Sequence, residues 1–182
     1  MQFEATSLPG VYLLTPTVFG DERGFFLESW SANKFRDEGF DVQFVQDNHS
    51  RSAQGILRGL HYQTAHTQGK LVRVTSGSVF DVAVDMRRDS PTLGQWFGVT
   101  LDALSKQMLW VPPGFAHGFY VTSESADFLY KCTDSYDPGS EISVAWDDPE
   151  LGIDWPLIEG QLPALSAKDA QGMSFADAPR LA

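Results

Sequence analysis

Apolar positions along the chain fall in short runs broken by Gly, Pro and Asp, and few stretches keep helical spacing. That punctuation predicts strands at Val11–Pro16, Gly24–Trp30, Phe44–Asn48 and Ile56–Gln63. Leu71–Thr75 and Val79–Asp85, joined across Ser76-Gly77, read as the clearest hairpin. In its second arm Phe80, Val82 and Val84 alternate with Val79, Asp81, Ala83 and Asp85, the period of a half-buried strand. Further strands are expected at Gln95–Leu101, Lys106–Val111, Gly118–Val121, Asp127–Thr133 and Ser143–Asp147. Ser31 to Gly39 reads as a helix, with Ser31 to cap its start and Gly39 to close its end. Asp148 to Pro163 is irregular, and a short helix is expected after Ser166. Many short strands without an internal repeat predict an all-β fold, most simply an antiparallel jelly roll with a few short helices. The C-terminal tail after Asp148 would pack on that roll or cross to a second subunit.

Composition narrows the function. At 182 residues the chain fits one domain, 1–182. Aromatics make up 13%, enough to fill a wide β core and to line a pocket for rings. A formal charge of −11 argues against general nucleic-acid binding, which needs a basic footprint. An anionic ligand would therefore need a local cluster of Arg and Lys. Cys132 is the only cysteine, so one chain forms no internal disulfide, which suits a reducing compartment. The N-terminal Met-Gln-Phe-Glu-Ala-Thr lacks the order of a signal peptide, and the apolar runs fall far short of a membrane span. A cytoplasmic protein without a membrane partner is the expectation.

Arg58-Gly59-Leu60-His61-Tyr62-Gln63 and Gln68-Gly69-Lys70-Leu71-Val72-Arg73 place charged groups inside strand-like sequence. Burying an unpaired polar group costs roughly 1–3 kcal/mol, so such a face is either the wall of a wet pocket or a solvated sheet face. Strict alternation puts Arg58 and His61 on opposite faces; a bulge at Gly59 would bring them together. In the pocket reading His61 is the candidate base, because its ordinary pKa lies near working pH. Tyr130, within Phe128-Leu129-Tyr130-Lys131, is either a candidate acid on an opposing strand or a core tyrosine. Asp169 sits in Ser166-Ala-Lys-Asp169, which matches the capping box of a helix start and is sufficiently explained by it.

Pro112, Gly114 and His117 have a spacing similar to the second motif of cupins, small metal-binding jelly rolls. The matching first motif needs two His and a downstream Glu. Here it reads His61-Tyr62-Gln63, with Lys70 where an acid is wanted, a poor transition-metal site. No metal is expected. Val45-Gln46-Asp47-Asn48-His49-Ser50 offers amides that either bind ligand oxygens or shape a turn. In Phe19-Gly20-Asp21-Glu22-Arg23-Gly24, Arg23 is either a phosphate partner or an exposed turn residue.

Taken together and in order, FGDERGFF, FVQDNHS, LRGLHYQ, QGKLVRV, VFDVAVD, SPTLGQW, PPGFAHGF, FLYK and LSAKDA resemble the dTDP-4-dehydrorhamnose 3,5-epimerase family, from about Leu8 to about Gly172. The resemblance implies a cupin-like jelly-roll homodimer, an isomerase needing neither metal nor other cofactor. Its substrate would be a dTDP-4-keto-6-deoxysugar, on the route to dTDP-L-rhamnose. It further implies His61 as base, Asp169 as its dyad partner, Tyr130 as acid and Lys70 near the keto oxygen. Arg23, Phe26, Glu28, Gln46, Asn48, Arg58 and His117 match positions that hold nucleotide or sugar, and Glu141 and Lys168 are weaker transfers. A neighbouring possibility is an epimerase acting at carbon 3 or carbon 5 alone. The loop Thr64-Ala-His66-Thr67 and the chain after Gly172 depart from the pattern without touching these groups.

Overall fold

The computed structural model describes residues 1–182. In chain order its strands are β1 (Gln2–Ala5), β2 (Tyr12–Thr15), β3 (Val18–Asp21), β4 (Gly24–Leu27), β5 (Gln46–Ala53), β6 (Leu57–Gln63) and β7 (Lys70–Ser76), then β8 (Ser78–Asp85), β9 (Trp96–Asp102), β10 (Met108–Val111), β11 (Phe115–Val121), β12 (Ser125–Cys132) and β13 (Glu141–Ser143). The helix α1 (Ala32–Asp37) lies between β4 and β5, and a single 3-10 turn covers Asp169–Gln171. One sheet runs β1-β2-β10-β7-β12-β5 and a second β13-β6-β11-β8-β9, while β3 and β4 form a separate hairpin. All these strand pairings are antiparallel, and the two facing sheets make the expected jelly roll.

The expected hairpin across Ser76-Gly77 is not formed. β7 pairs with β10 and β12, whereas β8 pairs with β11 and β9 in the other sheet. Gly77 turns the corner between the sheets: its φ is +73°, and an added Cβ would lie 1.9 Å from the Ser125 carbonyl oxygen. Local sequence could not separate a corner from a hairpin, because both need a glycine between two strands. The half-buried reading of β8 is corrected as well. Its inward residues Val79 and Ala83 meet Val72, Val74, Leu109 and Phe128 in the core between the sheets. Its outward residues Val82 and Val84 are covered by Leu151, Trp155, Phe175 and Leu181 of the tail. The tail therefore packs on the roll of its own chain.

Boundaries moved where one face of a strand is wet. β5 begins at Gln46 and runs to Ala53, not over Phe44–Asn48, and Gln46, Asn48, Ser50 and Ser52 share its less exposed face. β13 occupies Glu141–Ser143 rather than Ser143–Asp147, and β4 stops at Leu27. In α1, Ser31 is extended but makes no side-chain cap hydrogen bond, so that expectation fails. The other end is closed as expected. Gly39 has φ +89°, its N–H donates to Arg36 at 2.9 Å, and Phe40 N–H donates to Phe35 at 2.8 Å. This is the Schellman arrangement, and the Phe40 and Phe35 rings meet with centroids 6.1 Å apart. Phe35, fully buried among Leu14, Leu71, Met108 and Trp110, fixes α1 against the first sheet.

Candidate active site

A cavity of about 570 Å³ opens between the two sheets, a size suited to a ligand of nucleotide-sugar dimensions. One wall is β6 and β11, carrying Arg58, His61, His117 and Phe119; the other is β5, β7 and β12, carrying Gln46, Asn48, Lys70, Phe128 and Tyr130. β13 adds Glu141, and the tail adds Ser166, Lys168 and Asp169.

The bulge expected at Gly59 brings Arg58 and His61 to the same wall. His61 pairs with His117 but Arg58 pairs with Phe119, so β6 spends three steps where β11 spends two. Glycine is required on both strands. An added Cβ at Gly59 would lie 2.5 Å from the Gly118 Cα, and one at Gly118 would lie 2.7 Å from the Arg58 carbonyl oxygen. Arg58 Nε then donates to Ser52 Oγ at 3.0 Å, tying the two walls at one end.

His61 and Asp169 form a close pair, Nε2 to Oδ1 at 2.5 Å, across 108 positions of sequence. Asp169 is 3% exposed. Burial pushes its carboxyl up, but the His61 contact and Ser166 outweigh this and hold it below the usual range. Asp169 N–H donates to Ser166 Oγ at 3.1 Å, which is half of the expected capping box. The carboxylate, the other half, is turned to His61 instead. The capping explanation is therefore incomplete.

On the facing wall, burial pushes the Lys70 ammonium below its ordinary pKa and raises the Tyr130 phenol above its own. Tyr130 thus keeps its proton at neutral pH, and the Lys70 amine lies in a poorly solvated setting that disfavours its charged form. Glu141 lies on the far side of His61, with Oε1 at 3.9 Å from Nδ1. Burial raises it, yet Lys168 at 2.6 Å and the Tyr136 hydroxyl at 2.8 Å pull it below the usual range. His117 is 6% exposed, with Nε2 at 3.0 Å from both oxygens of the fully buried Asp81.

Ten of the thirteen residues singled out from sequence line this cavity: His61, Asp169, Tyr130, Lys70, Gln46, Asn48, Arg58, His117, Glu141 and Lys168. Three do not. Arg23, Phe26 and Glu28 belong to the β3–β4 hairpin and its exit, where Arg23 pairs with Asp21 and Glu28 with Lys34. The sequence reading missed Tyr136 and Asp81. A tyrosine alone in the polar turn Asp134-Ser135-Tyr136-Asp137 was a usable signal, as was an acid at an inward position of β8. No group of three or more His, Cys, Asp or Glu side chains is placed to hold a metal ion. No helix is long and apolar enough to cross a membrane.

A family model described as dTDP-4-dehydrorhamnose 3,5-epimerase matches residues 5–177. The enzyme of that description from Pseudomonas aeruginosa is 58% identical over 179 residues, covering 98% of each chain. The crystal structure of a dTDP-6-deoxy-D-glucose-3,5-epimerase from Legionella pneumophila, in complex with dTDP-4-keto-L-rhamnose, is 52% identical. It covers 98% of this chain and 94% of its own, with a TM-score of 0.95. A more distant structure, a 3'-monoepimerase from Streptomyces bikiniensis with dTDP-quinovose, is 33% identical with a TM-score of 0.89, covering 95% and 87%. Fold, cavity and likeness over nearly the whole length agree, and the chain belongs to the dTDP-4-dehydrorhamnose 3,5-epimerase family.

Proposed function

We propose that this chain, acting as one domain over residues 1–182, inverts carbons 3 and 5 of dTDP-4-keto-6-deoxyglucose by proton transfer across the cavity. The observation that carries the reading is the His61–Asp169 pair on one wall, with Lys70 and Tyr130 on the other. A keto group at carbon 4 acidifies the hydrogens on either side. His61 removes one of them, leaving an enolate, while Asp169 orients the ring and stabilises its charged form. Lys70 stabilises the oxygen on which negative charge develops. Inversion requires a proton on the opposite face, and Tyr130 supplies it. A single base returning its own proton would restore the starting sugar. Gln46, Asn48, Arg58, His117, Glu141 and Lys168 hold the sugar and pyrophosphate in this reading.

Arg23, Phe26 and Glu28 enter through a second copy of the chain. The β3–β4 hairpin exposes Phe19, Phe25 and Phe26 at 62%, 64% and 69%. So much exposed aromatic surface on one hairpin suits a seat on a partner, where it would bring these three residues to the neighbouring cavity. The functional unit is then a homodimer.

The likeness to a 3'-monoepimerase supports a second reading, inversion at one carbon only. One experiment separates the two: NMR of dTDP-4-keto-6-deoxyglucose in D₂O with the purified chain. Deuterium at both carbons, with formation of the L-lyxo sugar, is the expected result. Deuterium at a single carbon would establish the monoepimerase, and tight binding without deuterium at either would leave a binding protein.

A further inference from the structure

Two inversions at one site raise a question of proton balance, and the following rests on the proposed roles of His61 and Tyr130. In the first inversion a C–H bond breaks, an N–H bond forms on His61, and the electron pair moves onto the oxygen at carbon 4. The Tyr130 O–H bond then breaks, a C–H bond forms on the opposite face, and the keto group is restored. The sugar is neutral again but the protein is not. His61 is left as imidazolium and Tyr130 as phenolate. The second carbon waits until one proton leaves His61 and one reaches Tyr130.

Asp169 is a poor exit. It is 3% exposed, sits behind the ring at Nε2 and is tied to Ser166. Nδ1 looks the other way, toward Glu141 Oε1 at 3.9 Å. The second oxygen of Glu141 accepts from Lys168 at 2.6 Å and from the Tyr136 hydroxyl at 2.8 Å. Glu141 is itself only 12% exposed in its side chain, whereas Lys168 is 49% exposed and Tyr136 50%. Beyond that 3.9 Å gap, which is longer than a hydrogen bond and must shorten by side-chain rotation before a proton crosses, Glu141, Lys168 and Tyr136 form a hydrogen-bonded cluster that reaches water at the cavity mouth. Glu141 reaches His61 because β13 lies beside β6, with Ser143 opposite His61 and Glu141 opposite Gln63.

We propose that Glu141 is the relay through which His61 gives up its proton to water between the two inversions, with Tyr136 and Lys168 holding the carboxylate in reach. The N–H bond at Nδ1 breaks, an O–H bond forms on Glu141, and that proton passes to water beside Tyr136. Water also supplies the proton that restores the Tyr130 hydroxyl, so nothing is consumed. Glu141 acts through His61, in addition to any contact with the sugar. Lys168 keeps the carboxylate ionised between transfers and ready to accept again.

The test is a time course in D₂O, read by NMR at each carbon, for the native chain, Glu141→Gln, Glu141→Asp and Tyr136→Phe. With the chain in excess over sugar, so that each molecule turns over once, the second inversion in Glu141→Gln is expected to slow at least about tenfold more than the first, and the singly inverted, singly deuterated sugar builds up. That factor lies below the 10²–10⁴-fold typical of a directly acting acid or base, because water can partly replace a relay. Imidazole or formate in the buffer should restore the second inversion in proportion to concentration in Glu141→Gln and leave the native rate unchanged. Glu141→Asp should recover part of it. Equal slowing of both inversions, or a raised KM with an unchanged ratio and no buffer response, would overturn the relay and leave Glu141 as a sugar contact. Absence of deuterium at either carbon in the native chain would overturn the proposed function and the relay together. If Glu141→Gln does not fold, Glu141→Asp and Tyr136→Phe carry the same buffer readout.

Discussion

In the proposed mechanism His61 and Tyr130 divide one reaction between two walls, and single substitutions should separate their parts. His61→Ala is expected to lower turnover by about 10²–10⁴-fold while nucleotide-sugar binding, followed by calorimetry, changes little. Substantial remaining activity would remove His61 from the base role. Tyr130→Phe keeps the base and removes the acid, so it should slow inversion more than hydrogen exchange, both read from the same D₂O spectra. Equal loss of the two would give Tyr130 another task. His61 was legible from sequence because an ionisable residue inside a strand is costly unless it faces a wet pocket. Its partner was not legible by physics alone. Asp169 lies 108 positions downstream in a local capping pattern, and only the family resemblance linked the two before the fold did.

Among the elements, the β6 bulge decides whether Arg58 and His61 share a wall. Gly59→Ala forces a Cβ to within 2.5 Å of the Gly118 backbone at φ +121°. We expect a stability loss of about 2 kcal/mol or more in urea unfolding, and turnover down by about 10²-fold in whatever remains folded. Native-like values in both would mean the two strands can separate without disturbing the site. The turn after β8 is held differently. Asp85 is fully buried; burial raises its carboxyl, but bonds from Arg87, Ser90 and Thr92 outweigh it and lower its pKa from 3.8 to about 2. A carboxyl depressed on folding stabilises above its unfolded value and loses that contribution as pH falls through the folded one. About 2 kcal/mol should therefore disappear between about pH 4 and pH 2. In Asp85→Asn this component of the unfolding curve should be missing, and an unchanged profile would count against it. The alternation of β8 was read correctly, but its burial was not. Periodicity reports which residues share a face, and says nothing of a tail returning from far downstream to cover the other face.

Across the whole molecule, the proposed dimer makes a prediction that a self-contained subunit does not. A chain carrying His61→Ala has a dead cavity and a sound hairpin; one carrying Arg23→Ala has the reverse. Each alone should be weak. Refolded together in equal amounts, half the dimers should contain one fully intact site, restoring about a quarter of native activity per mole of sites. No recovery on mixing would place Arg23 outside the neighbouring cavity. The jelly roll was legible from strand count and turn spacing, whereas the partition of strands between two sheets was not. That partition is set by long-range pairings such as β12 with β7 and β5, for which no short window of sequence carries a signal.

The tail that covers β8 also carries Asp169, the partner of His61, and this bears on when the proposed dyad is assembled as the protein is made. A chain emerging from the ribosome through Cys132 already contains β6, β7, β11 and β12, and with them His61, Lys70 and Tyr130. It has no Asp169. Until the later segment clears the exit tunnel and lies down on the outer sheet, His61 lacks the carboxylate it pairs with in the folded chain. In the proposed mechanism, translation order therefore withholds the group that orients His61 until the tail has docked.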